Sequence, residues 1–99
     1  MRVEIKPSAI RRMNRSIRLV YGKASKETRE RMVDRVFDAI DRLKEYPRSG
    51  QFEPWLEHLQ MGHRRLVVGK FKVIYRILSE VIIVTDIFDA RRDPKKMKG

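Results

Sequence analysis

The sequence has no cysteine, only two histidines and no long apolar run. Without cysteine, a disulfide scaffold, a zinc ribbon and a thiol nucleophile are excluded. Two histidines at no ligand spacing do not indicate a metal site, and no glycine-rich phosphate loop is present, so we expect no cofactor. No apolar stretch approaches the ~20 residues that cross a bilayer, and the first residues lack the apolar core of a signal peptide. These absences predict a cytoplasmic chain with no membrane segment.

Acidic residues are scarce relative to basic ones. The chain has 24 Lys and Arg against 13 Asp and Glu, which gives a formal net charge of +11. Seven basic residues and no acidic one lie between Lys6 and Lys26, and five basic residues and no acidic one lie between Gln60 and Arg76. A positive field of this kind concentrates polyanions. The charge therefore predicts an anionic partner, with nucleic acid or the ribosome as the expected class.

The length and the apolar content indicate a folded domain. Ninety-nine residues fall in the common size range of one domain, and 41% of them are hydrophobic, as in globular proteins. We expect residues 1–99 to form one domain, of which about 91–99 is a basic tail.

The first half of the sequence predicts a strand and two helices. Residues 2–6 alternate as a short strand that Pro7 ends, and Ser8 is a candidate N-cap for a first helix. Ser25 is the candidate N-cap of a second helix, which runs to about Tyr46. The link between the two helices is so short that they must be antiparallel.

In the second half the apolar period changes from that of a helix to two. Residues 63–68, 71–77 and 81–88 predict three strands joined by tight turns at Gly69-Lys70 and Ser79-Glu80. The prediction is an α+β fold with an N-terminal strand, an antiparallel helical hairpin and a three-stranded antiparallel meander. The helices cover one face of a four-stranded sheet.

Three cations are candidates for a phosphate-binding surface. Lys72 alternates with the apolar residues of its strand and so points away from the helices, Arg65 lies on the neighbouring strand, and Arg92 follows the last strand. Together they could grip a phosphate backbone and stabilise developing charge. The alternative is an ordinary solvated face of a sheet. Further candidates for nucleic-acid contact are Arg64, Arg76, Arg91, Lys95 and His63.

Three residues in the loop before the meander, or at the start of its first strand, each have two possible roles. Glu53 could accept a proton from a ribose 2′-hydroxyl, or it is a plain loop acid. His63 could act as an acid or base near neutral pH, or it is an ordinary histidine. Trp55 could stack on a nucleotide base, or it anchors the loop on the core.

Taken in order, three segments resemble one family. They are Tyr46-Pro47-Arg48-Ser49-Gly50, the strand Gly69-Lys70-Phe71-Lys72-Val73-Ile74-Tyr75-Arg76-Ile77, and the closing Asp89-Ala90-Arg91-Arg92-Asp93-Pro94. In this order and spacing the sequence resembles the RelE/ParE superfamily of type II toxins, often described as plasmid stabilisation proteins. The resemblance covers nearly the whole chain.

The resemblance implies a toxin with a cognate acidic antitoxin. RelE-like and YoeB-like members cut mRNA on the ribosome, whereas ParE-like members inhibit DNA gyrase and are not nucleases. By position, Lys72 stands where the nucleases have a catalytic arginine, Arg65 and Arg92 stand near further cations, and Glu53 resembles their base. The implied reaction is metal-independent attack of a 2′-hydroxyl on the adjacent phosphate.

Two departures weigh against that reaction. Lysine at position 72 lacks the bidentate fork of arginine, and no aromatic residue follows Phe88, whereas the nucleases use a terminal histidine or tyrosine. Ribosome-dependent mRNA cleavage is the first expectation by a narrow margin, and gyrase inhibition is the alternative. A non-toxic basic module that binds nucleic acid is the third.

Overall fold

The first half of the chain forms one strand and two helices, and the second half forms four strands. A computed structural model describes residues 1–99. Neither helix is long and apolar enough to cross a membrane. The strands are β1 (Arg2–Ile5), β2 (Gln51–Phe52), β3 (Arg64–Val68), β4 (Phe71–Leu78) and β5 (Val81–Asp89), the helices are α1 (Pro7–Val20) and α2 (Lys26–Arg42), and two short 3-10 helices, the loop helix (Pro54–Leu59) and the tail helix (Pro94–Lys96), flank the meander.

The sheet has the order β1-β5-β4-β3-β2. β1 is parallel to β5, and the other neighbours are antiparallel. The predicted α+β arrangement of strand, helical hairpin and meander is confirmed. The sheet has five strands and not four, because Gln51 and Phe52 pair with Arg65 and Arg64 at its edge. Two residues are too few to show an alternating pattern, so this strand could not be predicted from the sequence.

The helix ends follow the local sequence with two corrections. The prediction of Ser8 as an N-cap is wrong: α1 is capped by Lys6 and begins at Pro7, since proline suits the first helical position. Ser25 is confirmed as the cap of α2, where its side chain accepts a hydrogen bond from the Thr28 amide. α2 ends at Arg42, and not near Tyr46. Hydrogen-bonded turns connect Arg42 to Tyr46. Tyr46 precedes Pro47, and the residue before a proline disfavours helical backbone.

The two faces of the sheet are covered differently. Phe71, Val73 and Tyr75 of β4 point toward the helices and join a cluster of fifteen buried apolar residues. Ile74 points to the other face, where it belongs to a cluster of four buried apolar residues. The other three members of that cluster are Leu56 of the loop helix, Phe88 of β5 and Met97 after the tail helix.

The C-terminal segment docks on this second face. Met97 is buried, the Lys98 amide donates to Asp86 Oδ2 at 2.9 Å, and Thr85 Oγ1 donates to the Lys98 carbonyl at 3.1 Å. The segment predicted to be a basic tail therefore adds a short helix and a buried side chain to the fold.

A bulge in β5 creates the docking point. Ile74 pairs with Asp86 while the next residue, Tyr75, pairs with Val84, so Thr85 is an extra residue in β5. Arg12 of α1 reaches this point, where its Nε donates to Asp86 Oδ1 at 2.7 Å and its Nη2 donates to the Thr85 carbonyl at 2.9 Å. Arg12 thus ties α1 to the bulge of β5.

Candidate functional site

Three of the predicted site residues meet on the face of the sheet opposite the helices. Arg65 Nη1 lies 3.1 Å from Glu53 Oε2, and Lys72 Nζ lies 3.4 Å from Glu53 Oε1. The carboxylate is fully buried, while each cation keeps 23% of its side chain exposed. We call this group the Glu53 triad.

Distant parts of the chain build the triad. The Glu53 amide donates to the His63 carbonyl at 2.9 Å, which holds the loop against the start of β3. Arg65 also donates to the Phe52 carbonyl at 2.6 Å. In the antiparallel register Lys72 of β4 pairs with Val67, two residues along β3 from Arg65. Because side chains alternate along a strand, Arg65 and Lys72 share one face.

The environment of Glu53 decides what the triad can do. Each carboxylate oxygen holds one cation, and no part of the side chain reaches solvent. A buried carboxylate is stable only while such partners compensate its charge. Glu53 therefore braces the loop against β3 and β4, and a substrate cannot reach its carboxylate while the side chain stays enclosed.

Arg91 and Arg92 lie in the turn after β5. Arg92 is exposed and forms no ion pair, so Arg65 and Lys72 are the two of the three predicted cations that contact Glu53. Arg91 pairs with Asp89, with its Nε at 3.3 Å and its backbone amide at 3.0 Å from Oδ1. Burial raises the pKa of Asp89, but the hydrogen bonds and charge of Arg91 outweigh it, and the pKa lies below its ordinary value.

The remaining basic candidates have separate positions. Arg64 is engaged in the fold, since its Nη1 donates to the Gly50 carbonyl at 2.7 Å and its guanidinium lies 4.1 Å from the centre of the Phe52 ring. Arg76 is half-buried on β4, and Lys95 is exposed on the tail helix. Neither forms an ion pair.

His63 is buried, with 3% of its surface exposed, and neither ring nitrogen has a hydrogen-bond partner. Burial, followed by the charges of Arg76 and Lys6, holds its pKa below the ordinary value of 6.5. Gly99 lies against the ring, so closely that a Cβ there would be 2.9 Å from Nε2. His63 is therefore neutral at pH 7 and shielded from a substrate.

Trp55 does not anchor the loop. Its side chain is 49% exposed, whereas the next residue, Leu56, is 4% exposed and enters the small apolar cluster. The sequence offered no way to choose between these neighbours, because both are apolar residues in one short loop.

The clamp formed by Arg12, Asp86 and Lys98 was not predicted from the sequence. Asp86 lies inside the predicted strand 81–88, and its burial depends on a bulge that leaves no mark in the sequence. The only available signal was an acidic residue inside a run of β-branched ones.

Cavity volume does not single out the triad. Three grooves of similar volume occur: about 460 Å³ between α2 and β3, about 420 Å³ beside Glu53 and His63, and about 450 Å³ between the loop helix and the tail. No group of three acidic or histidine side chains is arranged to hold a metal ion.

Comparison with known proteins finds one family model that matches this chain. The family model described as the ParE toxin of the type II toxin-antitoxin system parDE matches residues 3–94, from β1 to the start of the tail helix. No curated protein matches the chain. Toxins of this kind are paired with an antitoxin, so the match implies such a partner. This chain belongs to the ParE toxin family of type II toxin–antitoxin systems, within the RelE/ParE superfamily.

Proposed function

We propose that this toxin acts by binding and inhibiting DNA gyrase, and that it does not cut nucleic acid. The observation that carries the proposal is the complete burial of Glu53 between Arg65 and Lys72. The family match agrees, because ParE-like toxins are the gyrase inhibitors of the superfamily.

The energetics of the Glu53 triad argue against cleavage. General-base catalysis contributes roughly 10²–10⁴-fold to a rate. Removing one partner of a buried ion pair costs about 3–5 kcal/mol, and each 1.36 kcal/mol is about one factor of ten. The cost of releasing Glu53 therefore offsets nearly all that it could contribute as a base.

Ribosome-dependent mRNA cleavage is the second candidate, and one observation favours it. Glu53, Arg65 and Lys72 are three of the four residues for which the resemblance implied catalytic roles, and they are in contact. If phosphates of a bound message drew Arg65 and Lys72 away, Glu53 would be left free to act as the base.

The two candidates are separated by assaying one purified toxin on both targets. We expect it to inhibit supercoiling of relaxed plasmid by gyrase and to leave message intact in a ribosomal translation extract. Folded Glu53→Gln and Lys72→Ala variants are compared with Lys26→Ala, an exposed control on α2. Ribosome-dependent cuts in the message that Lys26→Ala retains and Glu53→Gln loses would establish the second candidate instead.

Inhibition of neither target would refute both mechanisms and leave the non-toxic nucleic-acid-binding module. Circular dichroism on each variant separates loss of function from loss of fold. Arg92→Ala is included in the same series, because the resemblance gave Arg92 a role although it forms no ion pair with Glu53.

We also propose that the antitoxin is acidic and covers basic surface of the sheet and the helical hairpin. The net charge of +11 supports it, since complementary charge accelerates association. The expected result is an association rate that falls steeply with salt. A salt-independent rate for the partner encoded in the same operon would contradict it.

A further inference from the structure

The groove between the loop helix and the tail combines an exposed aromatic ring with unpaired lysines. Trp55 and Leu59 line one side, and Lys95 and Lys98 line the other. The Trp55 side chain is 49% exposed, and its ring takes part in no aromatic or cation–π pair. A large ring left open in this way is available for a ligand.

The fold holds both walls of the groove in place. Leu56 and Met97, one from each wall, are buried in the same four-residue cluster. The backbone of Lys98 is fixed on both sides by Asp86 and Thr85. Trp55 and the lysine backbones therefore stand on anchored segments, and a ligand would meet a prepared surface.

The charge of the groove is positive. Lys95 and Lys98 form no ion pair, and their acidic neighbour Asp93 uses its side chain to accept a hydrogen bond from the Lys95 amide. The groove lining contains no carboxylate side chain and no side-chain amide, and His58 is its remaining ionisable side chain. The occupant must then be an anion that also has a flat apolar face.

We propose that this groove binds a short single-stranded segment of nucleic acid, with one base stacked on Trp55 and its flanking phosphates on Lys95 and Lys98. Stacking on an aromatic ring beside a basic groove is the usual way in which proteins hold single strands. A duplex hides its base faces, so it cannot use Trp55. The volume of about 450 Å³ lies within the range of small-ligand sites.

The side chains that line the groove also indicate which features of a nucleic acid it does not distinguish. Without carboxylate or amide side chains it has few groups to recognise base edges or a 2′-hydroxyl. DNA and RNA single strands are thus expected to bind with similar affinity. This contact goes beyond gyrase inhibition, because it requires neither gyrase nor the ribosome.

Trp55 is the only tryptophan in the chain, so its fluorescence reports on the groove directly. We expect saturable quenching by oligo(dT) and oligo(rU) of about eight nucleotides, and none by a duplex of the same length.

Trp55→Ala should weaken binding of a labelled oligomer roughly 5- to 150-fold, with partial recovery in Trp55→Phe. Lys95→Ala and Lys98→Ala should each reduce the slope of log affinity against log salt by about 0.7.

Matched controls exist elsewhere on the surface. Tyr46 is a 62% exposed aromatic residue of the α2–β3 groove, and Lys23 is an exposed lysine between the helices. Tyr46→Ala and Lys23→Ala should leave binding unchanged. Because Trp55 is not part of the core, its substitution should not change the free energy of unfolding, and this is measured alongside.

Several results would overturn the proposal. Unchanged oligomer binding in Trp55→Ala, equal quenching by duplex, or a strong preference for one sugar would each do so. Equal quenching by polyglutamate would show that the groove takes an acidic peptide instead. Since the assay contains the toxin and the oligomer alone, its failure leaves the proposal on gyrase untouched.

Discussion

The two faces of the sheet are stabilised by different means. On the helix side fifteen apolar residues form one cluster. On the other side only four apolar residues cluster, and the buried carboxylates Glu53 and Asp86 lie on the same side of the sheet. Two helices supply enough apolar surface to seal the first face, whereas a six-residue loop helix and the tail do not seal the second. Ion pairs of the buried carboxylates cover the rest of the second face. Their cations and the exposed ring of Trp55 remain at its surface.

This contrast has a functional lesson. A face sealed by apolar packing contributes stability and offers few groups for recognition. A face completed by ion pairs keeps polar groups at its margin, where Arg65, Lys72, Lys95 and Lys98 remain in reach of an anionic partner. The comparison predicts that mutations on the helix side act mainly on stability, and that those on the second face act first on local order and binding.

The largest expected effect compares two phenylalanines. Phe71 is fully buried in the large cluster, and Phe88 is 6% exposed in the small one. Phe71→Ala should lower the free energy of unfolding by about 3–5 kcal/mol, measured by urea denaturation. Phe88→Ala should cost less, because Phe88 packs in a cluster of only four buried apolar residues and loses fewer apolar contacts. Equal losses would show that the second face is packed as rigidly as the first.

The next effect concerns the clamp on the tail. Asp86→Asn removes the charge that Arg12 and the Lys98 amide share, and it should cost about 2–3 kcal/mol. Hydrogen exchange at Lys98 should accelerate more than exchange in β4. The control is Asp93→Asn, which alters an exposed acid in the same segment. Unchanged protection at Lys98 would mean that the apolar contact of Met97 alone holds the tail.

The smallest expected effect is a pH dependence from His63. Burial lowers its folded-state pKa below 6.5, so the unfolded chain binds a proton more readily than the folded one. The stability that neutral His63 contributes is therefore present above about pH 6.5 and is lost as the pH falls through the window below it.

The measurement is the free energy of unfolding between about pH 7 and pH 5 for the native protein and for His63→Gln. The native protein should lose more stability over this window than the variant. His58→Gln, which removes an exposed histidine of the same region, should behave like the native protein. Identical slopes in all three would show that His63 protonates freely in the folded state.

Much of the fold could be predicted because it depends on local patterns. The alternation of Phe71, Lys72 and Val73 assigns each side chain to a face of β4 once the helices are recognised. The cap at Ser25 requires only the hydroxyl and the amide of Thr28. The candidate site was predicted in part for the same reason: the pleat directs Lys72 and Arg65 to one face, but nothing local indicated that Glu53 would be enclosed between them.

The sequence by itself determined the helical hairpin, the meander and the excess of positive charge, since each follows from residue type and spacing. Only the tertiary structure decided that Arg65 and Lys72 enclose Glu53, that Asp86 clamps the tail, and that Leu56 is buried in place of Trp55. Arg12 and Asp86 are 74 residues apart in the chain, and their contact depends on a bulge and on helix packing. Such contacts are set by how whole elements meet in space, and no periodicity along the chain encodes them.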